Sequence, residues 1–178
     1  MTITLAPLST EHEADFLDAV ARSRDLHHPW VAPPATPQAF RVGVAKTDRE
    51  RHHSFLALNG SSRLVGCINL NEVVHGAFQS AYMGYYAFAP FAGKGLMKQA
   101  MTLAIHLAFD RLGLHRLEAN IQPGNAASRA LVQSLGFRHE GFSPRYLKIN
   151  GQWRDHERYA ITTEDWKPDP SQTHGAQQ

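Results

Sequence analysis

The chain has 178 residues, of which 43% are apolar and 19% charged. That mixture suits one globular domain with a substantial core and excludes a disordered chain. The formal charge is only +2 and Lys and Arg form no dense run, so a nucleic-acid surface is not indicated. The single cysteine, Cys67, leaves no internal disulfide, and there is neither an 18-residue apolar run nor a basic-then-apolar leader. The reading is a soluble protein of the reducing cytoplasm with no membrane partner, folded as a single domain over residues 1–166.

In chain order, ITLAPLS (3–9) reads as a first strand. Ser9 or Thr10 can cap a following helix whose buried stripe is Phe16, Leu17, Val20 and Ala21. HHPWVAPPATP carries too many prolines for a regular helix and reads as a shaped loop. FRVGVAKTDRERHH resumes a weak helical pattern. Three strands follow, SFLAL (54–58), RLVGCINLNEVV (63–74) and SAYMGYYAF (80–88), with turn residues at 59–62 and around Gly76. From Gly95 the period changes. Met97, Ala100, Met101, Ala104, Ile105, Ala108, Phe109 and Leu112 form one apolar stripe over about four turns, with Gly113 as the stop. HRLEANI (115–121) alternates, with Leu117, Ala119 and Ile121 on one face and Arg116, Glu118 and Asn120 on the other. PGNAASRALVQSLGF gives a turn, a capped short helix and a glycine stop. RYLKI, Asn150-Gly151 and QWRDHERYAIT form a terminal hairpin. The tail, 167–178, is polar and expected to fray. The order predicts a single mixed α/β (α+β) domain.

No metal site is expected. The pairs His27-His28 and His52-His53 are adjacent and point to opposite sides, and no HExxH or Cys/His cluster supports them.

PFAGKGLMKQA (90–100) is the most specific stretch. Glycines just before a helix let an anion approach free main-chain N–H groups and the positive end of the helix. The stretch lacks the first glycine and the Ser or Thr of a nucleotide P-loop, and the third glycine of the dinucleotide fingerprint.

Taken with its surroundings, the stretch resembles the GNAT superfamily of N-acetyltransferases. A strand, this loop, a long helix, RLEAN and then N-x-x-S and LGF succeed one another. The family loop pattern Gln/Arg-x-x-Gly-x-Gly/Ala corresponds to Ala92, Gly93, Lys94, Gly95, Leu96 and Met97. Gly95 matches the central glycine; Ala92 and Met97 depart, and Met97 must leave room for a phosphate. NEVVHGAFQSAYMGY, GKGLM, LGF, EG and INGQWRDH are similar to the Rim-type ribosomal-protein-alanine N-acetyltransferases, over most of the chain from HHPW to TTEDWKP. The resemblance implies the GNAT fold, a central mixed, mostly antiparallel sheet with flanking helices and a splayed strand pair that admits acetyl-CoA. It implies direct acetyl transfer from acetyl-CoA to an amine. The favoured acceptor is the N-terminal α-amine of a protein such as a ribosomal protein. A polyamine, an aminoglycoside or another small amine is the alternative, and a non-catalytic acyl-CoA-binding module is a third reading.

Such a reaction needs alignment of reactants, proton removal, oxyanion stabilisation and help for the departing thiolate. A protein α-amine, with a pKa of about 7.7–8.0 against about 10.4 for lysine, is substantially neutral near pH 7.5. It therefore needs only a mild base. The resemblance implies that residues 92–97 hold the coenzyme pyrophosphate through main-chain N–H groups, with Lys94 adding charge. It has the backbone of Tyr85, Tyr86 and Ala87 line the pantetheine arm as an added strand does. Asn125 would bond that arm and Ser128 lie near the sulfur, roles compatible with capping the short helix. Glu118 is the candidate base or substrate anchor, or else a carboxylate pairing with Arg116 or Arg145. Tyr82 stands where many relatives carry Glu. Tyr146 is a candidate acid or groove residue, or hairpin packing. Trp30, Asn69, Asn71 and Trp153 are candidates for the acceptor groove. Cys67 reads as a core residue.

Overall fold

The computed structural model describes residues 2–47 and 50–167. Seven strands form one sheet: β1 (Ile3–Pro7), β2 (His53–Asn59), β3 (Leu64–Val74), β4 (Ser80–Ala87), β5 (Arg116–Ile121), β6 (Arg138–Ile149) and β7 (Gln152–Thr162). Their order is β1-β2-β3-β4-β5-β7-β6, antiparallel throughout except for the parallel pair β4–β5. The helices are α1 (Glu13–Ala21), α2 (Arg24–His27), α3 (Pro37–Lys46), α4 (Leu96–His106) and α5 (Ala126–Ser134). This is the mixed, mostly antiparallel α+β architecture expected from the sequence.

The strands bury both faces by simple alternation. Phe55 and Ala57 of β2 pack with α4, through Ala100, Met101, Ala104 and Ile105. Leu56, between them, joins the opposite core with Phe16, Phe40 and Phe88. That core is built by α1 and α3, where the Phe16 and Phe40 rings meet tilted by 48° with centroids 4.8 Å apart. In β3 the alternation slips. Ala57 pairs with Gly66 and Leu58 with Leu64, leaving Val65 as an extra residue. This bulge lets Val65 face one core and Cys67, two residues on, face the other.

Three element boundaries differ from the sequence reading. α3 begins at Pro37 because Thr36 Oγ1 caps it, accepting from the Ala39 N–H at 3.2 Å, with proline at the first helical position. The long helix is regular only to His106. Residues Leu107–Arg111 widen into a π turn, in which the Leu112 N–H reaches the Leu107 carbonyl at 3.1 Å, before Gly113 turns the chain at φ 64°. β6 starts at Arg138 rather than at Arg145. Gly141 and Pro144 read as breakers, yet each sits at a register irregularity of an edge strand, where the ladder tolerates them. The tail expected to fray lies, from residue 168 on, outside the described residues.

Candidate active site

The parallel pair β4–β5 is hydrogen-bonded only at Ser80↔Arg116, Ala81↔Leu117 and Tyr82↔Glu118. Beyond Tyr82 the strands diverge, while β4 stays paired to β3 as far as Ala87. A cavity of about 570 Å³ occupies the wedge. Its walls are Met83 to Ala87 of β4 and Asn120 to Gln122 of β5. Asn125, Ala127, Ser128 and Leu131 of the α5 segment line one end, and His27, Trp30 and Val31 another. Ala92, Gly93, Gly95, Met97 and Lys98 close the helix side. Leu147, Ile149 and His156 of the terminal hairpin complete it. Among the described residues no Asp or Glu lines this space.

The glycine loop ends at the N-terminus of α4. Gly93 and Gly95 have φ of 73° and 72°, and Gly95 is the N-cap. A Cβ at either would meet nothing within 4 Å, so glycine serves backbone conformation there rather than space. The left-handed turns lead straight into the free amides of the first turn of α4. That turn holds no acidic residue, and Lys98 adds a positive charge. This is a fit for a phosphate.

Met97 leaves that fit intact. Its side chain is buried, with Sδ so close over Gly66 that a Cβ there would stand 2.3 Å from it and 2.7 Å from the Tyr86 carbonyl oxygen. The thioether lies in the core because β3 has no side chain beneath it.

On the α5 side, the Asn125 side-chain oxygen accepts from the Ser128 N–H at 3.1 Å and caps the helix. The Ser128 hydroxyl is 2.6 Å from the Tyr85 hydroxyl. Burial pushes the Tyr85 phenol well above its ordinary value, so it keeps its proton near neutral pH. At the opposite wall, the Ala87 carbonyl is taken by His27 Nε2 at 2.8 Å. Because a carbonyl only accepts, Nε2 carries the hydrogen, and Nδ1 is left buried without a partner. Burial holds this histidine below its ordinary pKa.

Alternation places Tyr82, Glu118 and Asn120 on the sheet face opposite α4, together with His156 and Arg158 of β7. Asn69 and Asn71 pair with Gly84 and Tyr82 and so share that face, but neither lines the cavity. Glu118 lies at the apex of the wedge and does not line it. Its Oε1 accepts from Arg116 Nε at 2.9 Å, and Arg116 also binds Glu140, at 2.5 Å. Of the two pairings open to Glu118 in the sequence, the one with Arg116 forms. The Arg145 N–H instead donates to Asp155 Oδ1 at 2.8 Å. Tyr146 lies beside Tyr82, and its ring centroid is 6.2 Å from that of His156.

Of the other sequence candidates, Trp30, Tyr85, Tyr86, Ala87, Ala92, Gly93, Gly95, Met97, Asn125 and Ser128 come together around the cavity. Lys94 is exposed beside it, and the Leu96 side chain is buried in the core, leaving only its backbone for a ligand. Trp153 does not form a groove wall. It is 61% exposed near the hairpin tip, opposite Lys148, because β7 is already at its far end there. The sequence reading missed His27, Asn120, Gln122 and His156. His27 ends a short helix, Asn120 lies on the polar face of β5 and Gln122 just past its end, places that signal no chemistry by themselves, and His156 reaches the cavity only through the register of β7 on β5. Cys67 is buried with its thiol pushed up to about 11 by desolvation, which leaves it no thiolate character at neutral pH. Among the described residues no cluster of His, Cys, Asp and Glu is arranged for a metal, and no helix is long and apolar enough to cross a membrane.

Comparison with known proteins agrees with this geometry. The chain is 44% identical over 105 residues to the [ribosomal protein uS5]-alanine N-acetyltransferase of Escherichia coli, covering 59% of this chain and 54% of that protein. A Bacillus subtilis protein named YjcK is 37% identical over 116 residues, covering 65% of this chain and 64% of its own. The matches thus span between about half and two-thirds of these relatives' lengths. Mycobacterium smegmatis RimJ in complex with CoA-disulfide superposes with a TM-score of 0.83 at 29% identity, over 91% of this chain and 82% of that one. A ribosomal-protein-S5-alanine acetyltransferase from Vibrio fischeri has the same fold, with a TM-score of 0.81 at 24% identity, over 94% of this chain and 97% of that one. The family model for the acetyltransferase (GNAT) domain matches residues 2–138, and the chain belongs to that family.

Proposed function

We propose that this domain transfers the acetyl group of acetyl-CoA directly to an amine, and that its acceptor is the N-terminal α-amine of a protein, a reading supported by the likeness to the [ribosomal protein uS5]-alanine N-acetyltransferase of Escherichia coli. The observation that carries the reading is the wedge between β4 and β5, open from the glycine loop at one end to the polar sheet face at the other. It lets a coenzyme and an amine meet from opposite sides of one sheet. When bound, the coenzyme supplies an acetyl thioester.

The rest falls to the chain. The free amides of residues 92–97 and Lys98 suit the pyrophosphate, and the β5-facing backbone of Tyr85 to Ala87 suits the pantetheine amides. Asn125 fixes the start of α5 and with it Ser128. The Tyr85–Ser128 hydroxyl pair carries two protons, with the Ser128 carbonyl only a long 3.4 Å acceptor for Tyr85, so the pair can give one proton to the departing sulfur. Such a reaction belongs in the cytoplasm, where acetyl-CoA and new protein N-termini are both present.

The acid-free lining favours an acceptor with a single amine over a polycation, which would need carboxylates to hold its further charges. The test is steady release of free thiol from acetyl-CoA over a panel of peptides with alanine or serine N-termini and of polyamines. Turnover with peptides and not polyamines supports the reading. Turnover with polyamines alone overturns the acceptor. Coenzyme A binding without turnover on any amine makes the domain a binding module.

A further inference from the structure

We infer that His156 is the proton acceptor for the incoming amine, an inference that rests on the acetyl-transfer reading above. The imidazole is 98% buried by its own strand and its neighbours, yet it lines the cavity. Its Nδ1 is 2.9 Å from the Arg154 carbonyl oxygen. A carbonyl has no hydrogen to give, so Nδ1 carries the proton, and a neutral ring then has a bare lone pair on Nε2. That nitrogen is what His156 can offer the cavity. The ring sits beyond the end of β5, since Glu157 pairs with Ile121. It is therefore on the open side of the wedge, among Asn120, Gln122 and Gly84 of the cavity wall.

The surroundings keep the ring neutral. Burial lowers its pKa, against the smaller raising effects of the Arg154 carbonyl and of Asp155. The other ionisable groups around it are Tyr146 from β6, Arg158 two residues along β7, and Tyr85, His27 and Lys98 across the cavity. None of these is a carboxylate. A neutral base of modest strength matches an α-amine, of which roughly a quarter to two-fifths is already deprotonated near pH 7.5. As the amine nitrogen bonds to the acetyl carbon and the carbon–sulfur bond breaks, one amine proton passes to Nε2. The electron pair of the broken bond stays on sulfur, which takes its proton from the Tyr85–Ser128 pair. Solvent then carries a proton from the imidazolium back to that pair. By contrast, Glu118 is engaged with Arg116 and does not line the cavity.

The test is thiol release with an alanine-terminated peptide across pH 5–9, on wild type and His156→Asn. The asparagine amide replaces the Nδ1 donor to Arg154 and removes Nε2. The variant should bind coenzyme A as wild type does, as measured by calorimetry, and lose about 10²-fold or more in kcat/KM, the usual scale for a general base. On the acid side, log kcat/KM of wild type should fall with a final slope of two, one proton on the amine and one on His156. The variant should fall with a slope of one. A variant with the full rate and a slope of two overturns the assignment, and so does loss of the second proton in Glu118→Gln instead. Should His156→Asn fail to bind coenzyme A, His156→Gln takes its place under the same criteria. Imidazole ¹⁵N shifts of the unmodified protein give an independent reading: protonated Nδ1 with bare Nε2 at pH 7 supports the proposal, and the reverse tautomer overturns it. If wild type releases no thiol with any amine, the acetyl-transfer reading itself falls, an outcome separate from an active wild type with an equally active variant.

Discussion

Gly66 and Met97 are complementary: the absence of a side chain at one makes room for the buried thioether of the other. Gly66→Ala should therefore cost about 1–3 kcal/mol by overpacking and raise the KM for acetyl-CoA by turning Met97 toward the cavity. Adding Met97→Ala should recover much of the coenzyme affinity, as read by calorimetry, while the clash with the Tyr86 carbonyl keeps stability below wild type. On the other wall, Ser128→Ala should lower kcat by about 10²-fold with little change in coenzyme affinity, and Tyr85→Phe should act in the same direction. A loss confined to KM in both variants would remove the hydroxyl pair from the chemistry. At this scale the sequence is readable where function coincides with a local rule. Gly95 at a helix start and Asn125 three residues before Ser128 announce themselves because turns and caps are short-range. Gly66 does not, since its reason is a sulfur atom on a distant helix.

Elements carry the next level of the site. α5 is nine residues long, and the Asn125 side chain satisfies one of its free N–H groups. Asn125→Ala should lower stability by about 1 kcal/mol and also kcat, because the same turn carries Ser128. Denaturant midpoints and rates measured on one preparation check both. The junction of β5 and β6 is tied by Arg116, which bridges Glu118 and Glu140, with Arg138 joining Glu140 to Asp165. Hydrogen bonds from Arg116 and Arg138 hold the Glu140 carboxyl at about 2, against 4.5 ordinarily. A carboxylate with a depressed folded pKa stabilises fully above pH 4.5 and loses that contribution as pH falls toward 2. The midpoint of urea unfolding should drop across that window in wild type and drop less steeply in Glu140→Gln. A strand reading exposes the alternation of Arg116, Glu118 and Asn120. It does not reveal that Glu140 would lie beside them, because a bulged edge strand hides its pairing behind Gly141 and Pro144.

For the whole molecule, coenzyme binding and folding are linked. If the cavity takes acetyl-CoA only in the folded state, coenzyme at 100 times its Kd should add about 2.7 kcal/mol and raise Tm by roughly 5–10 °C for a chain of this size. No shift under those conditions would count against a preformed site. The order of elements in one α+β domain was legible from the hydrophobic periods and turn residues, whereas the mixed sheet with its splayed central pair was implied only by the family resemblance. The membership of His27 and His156 in the cavity was not, since it depends on how loops and a returning hairpin close over the wedge. These are the long-range facts that a linear pattern does not contain.

The three-rung contact between β4 and β5 leaves part of β4 with unpaired backbone on one side, in the middle of the sheet. An open strand edge ordinarily invites another chain to add to it and seeds aggregation. Here that edge is recessed, with the α4 loop, α5 and the terminal hairpin around it. The protein thus keeps a sticky ribbon of main chain inside a sleeve too narrow for a second polypeptide sheet, yet wide enough for a slender amide-bearing thread. Selectivity against self-association is built into the same gap that admits the ligand. Amide hydrogen exchange at Tyr85 and Ala87, whose N–H groups point away from β3, should accordingly be fast in the free protein and slow when coenzyme A is added.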